Sequence, residues 1–412
     1  MANGLPAKSL GAVRQGGPKG GDQWTALKKF PVHVSTLGYL IDVGHHGNAN
    51  LTLRDPPRPS EQQITERIKV SYAVDIVSWK SCGFVAQNAY KVCLLVFFLI
   101  SHMSANMEDR ASWEASIPGI VWKQVFHLVP QIPSHIDLHD KVAVVTGSST
   151  GLGFECARQL LQLRLSHLIL AVRSQSKGKA ALSTLQTEFP KAHIEAWMLD
   201  MESYESVQEF ASRCEKLDRL DIVILNAGCG KMQFSRCGGD DGREVTLQVN
   251  YLATMLLTIL LIPVFKAKAA AGKNHGQSSR SPGRITIVGS DMAFWAKMKE
   301  TSGSMLDAIS SPQNFDAMNQ YAITKLLLPM FVSRLVEVVS ADDCIINIVN
   351  PSAVRGTQLM RETTAILPQL IVYTSGVLLG RNLQHGTRQY LHSALVLGKE
   401  SHGSFCDWEI RP

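Results

Sequence analysis

From Lys141 to Val349 the apolar positions form a repeating pattern. Six short runs rich in β-branched residues are continuously apolar or nearly so: Lys141–Thr146, Leu168–Val172, Ile194–Leu199, Leu220–Leu225, Arg284–Val288 and Ile345–Val349. A strand that is apolar throughout is buried on both faces, as in a parallel sheet covered by helices. Between the runs the apolar period lengthens to that of a helix, as over Phe154–Leu163, Ser203–Cys214, Leu247–Ala269 and Tyr321–Val339. Strand and helix in alternation predict an α/β fold with a doubly wound parallel sheet.

Upstream the texture changes. Residues 1–21 are rich in Gly and Lys and contain neither an acid nor the apolar stretch of a secretory signal. Solvated disorder is expected there, with a mitochondrial leader (Lys8, Arg14, Lys19) the weaker alternative. Consecutive prolines make Arg54–Ser60 a linker. Val92–Ile100 is strongly apolar, but Lys91 and His102 flank it. That leaves roughly ten apolar residues where a membrane span needs about twenty, so a buried or interfacial helix is expected. The predicted organisation is a largely disordered extension over 1–112, a lead-in helix and linker over 113–139, and the α/β domain over 140–412.

Composition narrows the classes. Of 412 residues, 45% are hydrophobic and 18% charged, enough apolar content for a sizeable core. Forty-one basic residues against 35 acidic ones give +6 with no long single-sign run, which argues against a nucleic-acid binder. The eight cysteines, at 82, 93, 156, 214, 229, 237, 344 and 406, form no C-x-x-C and no His/Cys ligand cluster. A zinc ribbon is excluded and reduced thiols in a cytoplasmic protein are expected, with no metal site.

The chemistry sits at the ends of the strands. Thr146-Gly-Ser-Ser-Thr-Gly-Leu-Gly153 joins the first strand to the first helix. Its glycines let backbone approach a pyrophosphate, and the helix N-terminus beyond presents unpaired N–H groups and a positive dipole. Twenty residues on, where an acid would accept from the ribose 2′-hydroxyl of NAD, stands Arg173. A guanidinium there can fork onto a 2′-phosphate, which favours NADP(H); a solvated loop arginine is the plainer alternative. Asp200 ends the third strand, where its carboxylate can accept from an adenine amino group or cap the next helix. Asn226-Ala-Gly228 ends the fourth, where small residues let a flat ring pass. Tyr321 and Lys325 are four apart on one helical face, where an ammonium can stabilise a phenolate. Ser290, past the fifth strand, and Asn250, on the preceding long helix, would complete the group.

TGSSTGLG, Asp200, Asn-Ala-Gly at 226–228, Asn250, Ser290 and Tyr-Ala-Ile-Thr-Lys at 321–325 together resemble a classical-type short-chain dehydrogenase/reductase (SDR). Within that family the chain is similar to the fungal retinol-dehydrogenase-like branch, often found beside secondary-metabolite pathways, from about Trp113 onward. The resemblance implies a single Rossmann-type domain that interconverts a ketone or aldehyde with an alcohol on a hydrophobic small molecule. Tyr321 would be the general acid/base, and Lys325 would lower its pKa and hold the nicotinamide ribose. Ser290 would bond the carbonyl and Asn250 would anchor a relay water. Gly147, Gly151, Leu152, Gly153, Arg173, Asp200 and Asn226 would line the cofactor, with Val354 and Thr357 at the nicotinamide amide. A cytoplasmic protein, with or without peripheral attachment to an internal membrane, is expected. The alternative is a catalytically silent NADP(H)-sensing protein on the same fold.

Three departures from the family pattern stand out. Ser352 replaces the usual glycine in Asn350–Thr357. Asp291 follows Ser290 where a small neutral residue is common. Ser290 and Tyr321 are 31 positions apart, implying an insertion whose Met292, Phe294, Trp295, Met298, Met305 and Leu306 read equally as a lid or as core packing. Ala365–Gly380 falls where the family places its substrate flap.

Overall fold

The strands are β1 (Val142–Thr146), β2 (His167–Val172), β3 (His193–Met198), β4 (Ile222–Leu225), β5 (Gly283–Val288), β6 (Cys344–Val349), β7 (Phe405–Cys406) and β8 (Ile410–Arg411). They form one sheet in the order β3-β2-β1-β4-β5-β6-β7-β8, parallel through β7, with β8 antiparallel at the edge. This is the Rossmann-type order, and its direction of winding reverses between β1 and β4, which opens a crevice at their carboxyl ends. The computed structural model describes residues 113, 115–126, 129–239, 242–274, 281–298, 303–356, 380–407 and 410–411. The chain divides into two units, 1–116 and 117–412, and the second carries the sheet. The disordered extension, the 54–60 linker, the apolar run at 92–100, Thr357 and all but the last residue of 365–380 fall outside the described residues.

Burial explains why the strand runs are continuous. Every residue of β1, β4 and β6 is buried, whereas β3 at the sheet edge is only partly so. Along β1, Val142 and Val144 enter one core layer while Ala143 and Val145 enter the other. The first layer is covered by α4 (Tyr204–Glu215), α5 (Thr254–Asn274) and α7 (Ala317–Leu335) through Phe210, Leu257, Leu261, Leu328 and Val332. The second is covered by α2 (Gly151–Gln162), α3 (Gln175–Glu188) and α8 (Leu383–Leu391) through Leu160, Leu185 and Tyr390. Polar caps set the helix starts: Ser203 accepts from Ser206 N–H before α4, and Asp316 accepts from Asn319 N–H before α7.

Two elements differ from the sequence expectation. The helix carrying Tyr321 begins at Ala317, a turn earlier, because Asp316 caps it. The long helix expected from Leu247 is interrupted by a π turn over Gln248–Ala253 that contains Asn250. Val245–Ala269 is the one helix among the described residues long and apolar enough to cross a membrane, but 67% of its most apolar window is buried in the protein. Its apolar character belongs to the core. The described cysteines, at 156, 214, 229, 237, 344 and 406, are all free thiols.

Candidate active site

The carboxyl ends of β1, β4, β5 and β6 bring the expected residues to one edge of the sheet. The turn after β1 takes left-handed backbone at Gly147 (φ +62°) and Gly151 (φ +63°), a conformation that side chains disfavour. Gly153 is required for a different reason. A Cβ there would lie 2.4 Å from the Gly147 carbonyl oxygen and 2.5 Å from Asn226 Nδ2. The N-cap residue of α2, Thr150, makes no side-chain capping bond, and no acid occupies the first turn. Ser148 is fully buried, yet its Oγ has no hydrogen-bond partner. An uncapped helix N-terminus beside an orphaned hydroxyl fits the phosphates of a dinucleotide. Gly228 supplies the matching opening, since a Cβ there would come within 3.3 Å of Asn250 Oδ1 and 3.9 Å of Lys325 Nζ.

Asn226 holds this edge together from within. Its Nδ2 donates to the carbonyls of Thr146 (3.0 Å) and Gly147 (3.2 Å), and its Oδ1 accepts from the Tyr390 hydroxyl (3.3 Å). The side chain thus shapes the cradle, and both of its polar atoms are engaged. At Asp200, Oδ1 accepts from Glu202 N–H at 3.0 Å, a local turn, while Ser203 and not Asp200 caps α4. Arg173 lies just past β2, half-exposed, in an ion pair with Glu202. Val354 bridges to Arg381, and the loop around it is held by Arg355 N–H donating to the Arg381 carbonyl at 2.9 Å. Ser352 sits at φ +61°, so the position where relatives carry glycine still demands glycine-like backbone; Asn350 Oδ1 accepts from its N–H at 3.0 Å.

The chemical core lies where β5, the π turn and α7 meet. The Ser290 hydroxyl faces Tyr321, and its Oγ donates to Asp291 Oδ1 at 3.4 Å. Burial pushes the Tyr321 phenol well above its ordinary value; the nearby Ser290 hydroxyl opposes this, and the Asp291 charge reinforces it. Lys325 is 5% exposed, and burial pulls its ammonium down to about 8. Its Nζ donates to the Val288 carbonyl at 2.7 Å and lies 5.6 Å from the Tyr321 ring centroid. The expected depression of the phenol by Lys325 is therefore not met in the free protein, because the desolvated ammonium is turned to backbone. Tyr321 is a protonated phenol at neutral pH. That is the form a proton donor needs.

Asn250 is held firmly in place. Its Oδ1 accepts from Cys229 N–H (2.8 Å), and its Nδ2 donates to the Cys229 carbonyl (2.9 Å) and Thr324 Oγ (3.1 Å). The side chain pins β4's trailing loop to α7. Glu244, which the sequence reading passed over, does similar work. Fully buried, it accepts from Thr246 N–H, Leu247 N–H and Gln320 Nε2 at 2.9, 2.9 and 2.6 Å. It is the N-cap of the short helix Val245–Leu247, a place where serine, threonine, aspartate or asparagine is the usual signal, so the sequence did not flag it. The insertion divides: Met292 and Leu306 pack on the cluster of Leu247 and Ile323, whereas Trp295, Met298 and Met305 are exposed.

One cluster lies away from this edge. His167, His193 and Glu195 meet at the amino ends of β2 and β3, with His167 Nε2 2.8 Å from Glu195 Oε1. Strand register brings them together, which residue spacing could not reveal. The two imidazoles stack at 4.1 Å between centroids.

This fold and constellation define an oxidoreductase scaffold, and sequence comparison agrees. Residues 141–302 match the family model for short chain dehydrogenases. Short chain dehydrogenase virL of Hypocrea virens is 46% identical over 75% of this chain and 88% of its own length. Short chain dehydrogenase opdN of Penicillium oxalicum is 44% identical over 73% and 97%. The chain belongs to the short-chain dehydrogenase/reductase family of oxidoreductases. Among solved structures, NADPH-dependent 3-quinuclidinone reductase from Rhodotorula rubra matches with a TM-score of 0.50 at 19% identity, over 68% of this chain and 94% of that one. That likeness is one of fold.

Proposed function

We propose that this protein is an NADP(H)-dependent carbonyl reductase or alcohol dehydrogenase of fungal secondary metabolism, acting on a hydrophobic small molecule. The observation that carries the reading is the neutral Tyr321 phenol facing Ser290, with Lys325 one helical turn on. NADPH, when bound, supplies a hydride to the carbonyl carbon. Ser290 donates to the carbonyl oxygen, and Tyr321 delivers the proton that turns the developing alkoxide into the alcohol. Lys325, freed from Val288, would hold the ribose and stabilise the phenolate by its charge until solvent returns the proton. Asn250 and Glu244 keep α7 in register. Gly147, Ser148, Gly151, Leu152, Gly153 and Gly228 form the cradle, and Arg173 meets the 2′-phosphate. Val354, with Thr357, is assigned the contact to the nicotinamide amide. The exposed Trp295, Met298 and Met305 supply an apolar wall, and the protein works in the cytoplasm.

The test is loss of NADPH absorbance with a panel of hydrophobic ketones and aldehydes. Tyr321→Phe keeps the ring and removes the proton donor, so turnover falls at least about a hundredfold with NADPH binding retained. A protein that binds NADPH and reduces no carbonyl is the silent cofactor sensor. Retained turnover in Tyr321→Phe rejects the role given to Tyr321.

A further inference from the structure

The amino ends of β2 and β3 carry a group of side chains that the reaction does not use. His167 and His193 open the two strands and are partners in the parallel register, and Ile169 pairs with Glu195. Alternate residues of a strand share a face, so His193 and Glu195 stand on one face of β3 with His167 beside them on β2. One ligand atom from each of the three lies within 4.8 Å of the others. Both imidazoles aim at one oxygen: His167 Nε2 lies 2.8 Å from Glu195 Oε1, and His193 Nε2 lies 3.8 Å from it. The two rings stack with centroids 4.1 Å apart, which brings their nitrogens together.

Hydrogen bonding satisfies only part of this arrangement. One proton joins His167 to Glu195, whereas 3.8 Å is too long for His193 to share in it. A single cation placed among the three atoms bonds all of them. Ligands about 2.0–2.1 Å from a tetrahedral zinc ion stand about 3.3 Å from one another. The two nitrogen–oxygen separations fall on either side of that value. The carboxylate is already oriented, since Trp197 Nε1 donates to Glu195 Oε2 at 3.1 Å and leaves Oε1 to the imidazoles. The buried indole is itself held by the Arg213 guanidinium of α4, 3.9 Å from a ring centroid. Outer contacts of this kind fix metal ligands and raise affinity. Solvent reaches the group at His193, whose side chain is 64% exposed, which gives an entry path and a water for a fourth position.

We propose that His167, His193 and Glu195 form a zinc site that clips the edge strand β3 to β2, with water as the fourth ligand. Two imidazoles and a carboxylate suit Zn²⁺ and its transition-metal neighbours, whereas Mg²⁺ and Ca²⁺ require oxygen ligands. Binding replaces the proton between His167 and Glu195, which leaves to solvent. His167 opens β2 and Arg173 follows its end, so strand steps of about 3.3 Å put the ion about 20 Å from the cofactor edge. The ion is therefore structural: it takes no part in the carbonyl chemistry, and the inference does not rest on that reading. Spacing along the chain gave no sign of the site, because its ligands come from two strands, with His167 and Glu195 28 positions apart.

The experiment uses the full chain stripped with EDTA, with Zn²⁺ alone as the probe, and compares wild type with His193→Ala and Glu195→Gln. Each variant removes one ligand, so a folding failure in one leaves the other to decide. Calorimetric titration is expected to show one more equivalent of bound zinc in wild type than in either variant. At free zinc about a hundredfold above its Kd, the wild-type Tm rises by at least about 5 °C more than that of the variants. Co²⁺ in place of Zn²⁺ gives the intense visible absorption of a tetrahedral site in wild type, and His193→Ala loses it. Equal numbers of bound zinc ions in wild type and both variants overturn the proposal, because the metal then sits elsewhere on the chain. A wild-type Tm that zinc moves no further than the variants' overturns it too. So does Mg²⁺ that matches Zn²⁺ in the titration, which makes the group an unselective acidic patch. A wild type that binds no zinc reduces the three residues to a His–Glu hydrogen bond beside a second imidazole.

Discussion

Lys325→Met separates the cost of the active site from its benefit. Burial lowers the Lys325 pKa from 10.5 to about 8. At about 1.36 kcal/mol per unit this is a penalty of about 3 kcal/mol on the folded, protonated state at neutral pH. Methionine removes that penalty and leaves the Val288 carbonyl, which accepts from the ammonium at 2.7 Å, without its donor. Losing that bond costs about 1 kcal/mol. The variant is expected to be inactive and about 2 kcal/mol more stable than wild type at pH 7. The sign of the pH dependence follows from proton counting. Between pH 8 and 10.5 the unfolded lysine holds its proton while the folded one has released it. Wild-type stability therefore rises with pH over that window, and the penalty is complete only below it. At pH 9.5 only about 1.4 kcal/mol of it remains, and the advantage of the variant shrinks to almost nothing. Tyr321, whose pKa is raised, acts in the opposite direction above pH 10, but it is present in both proteins and leaves their difference alone. Denaturant unfolding of cofactor-free protein at pH 7 and 9.5, with equal m-values, measures the difference. A variant less stable than wild type at pH 7, or a difference that does not change with pH, refutes the assignment of a desolvated, protonated Lys325.

Three further predictions concern the cofactor edge. Arg173→Asp should invert the NADPH-to-NADH ratio of kcat/KM, because charge-assisted bonds to a 2′-phosphate are worth roughly 1.5–3 kcal/mol each. Glu202→Gln, which uncharges the partner of Arg173 in the free protein, should lower the KM for NADPH severalfold and leave that for NADH unchanged; a rise would mean Glu202 orients the guanidinium. Gly153→Ala forces a Cβ to within 2.4 Å of the Gly147 carbonyl, and should destabilise by about 1–3 kcal/mol while abolishing NADPH binding. Gly151→Ala meets no atom within 4 Å and should cost only the left-handed strain of about 1–2 kcal/mol, so equal losses at the two positions in thermal melts and NADPH titrations would contradict the geometry.

The strands were legible because burial on both sheet faces leaves a continuous apolar run that no helix or loop imitates. β1, β2, β4, β5 and β6 fall within two residues of their expected bounds for that reason. The short β7 and β8 escaped, since two residues carry no period, and their pairing to β6 is decided by tertiary contact. The start of α7 slipped because its cap, Asp316, lies four residues before the first strongly apolar stretch. The π turn at Asn250 had no sequence signature. It follows from what its side chains reach: Asn250 toward Cys229 and Thr324, and Thr254 Oγ toward the Val249 carbonyl at 2.9 Å.

Motif spacing located the reacting groups but not their electrostatics, and the difference has a physical cause. Tyr321 and Lys325 lie on one helical face whatever surrounds them, so their proximity is a local property. Whether the ammonium stabilises the phenolate depends on which acceptor it chooses and how much water remains, and both are set by β5, which is more than thirty residues away in sequence. Here Val288 takes the ammonium and burial governs the phenol. The same division separates Arg173, read from its place after β2, from Glu202, whose pairing with it depends on β3 lying beside β2. It also separates the lead-in helix α1 (Ile117–Phe126), read from its sequence, from the placement of Lys123 over Phe294. A pairing of residues distant in sequence can change the sign of a local argument.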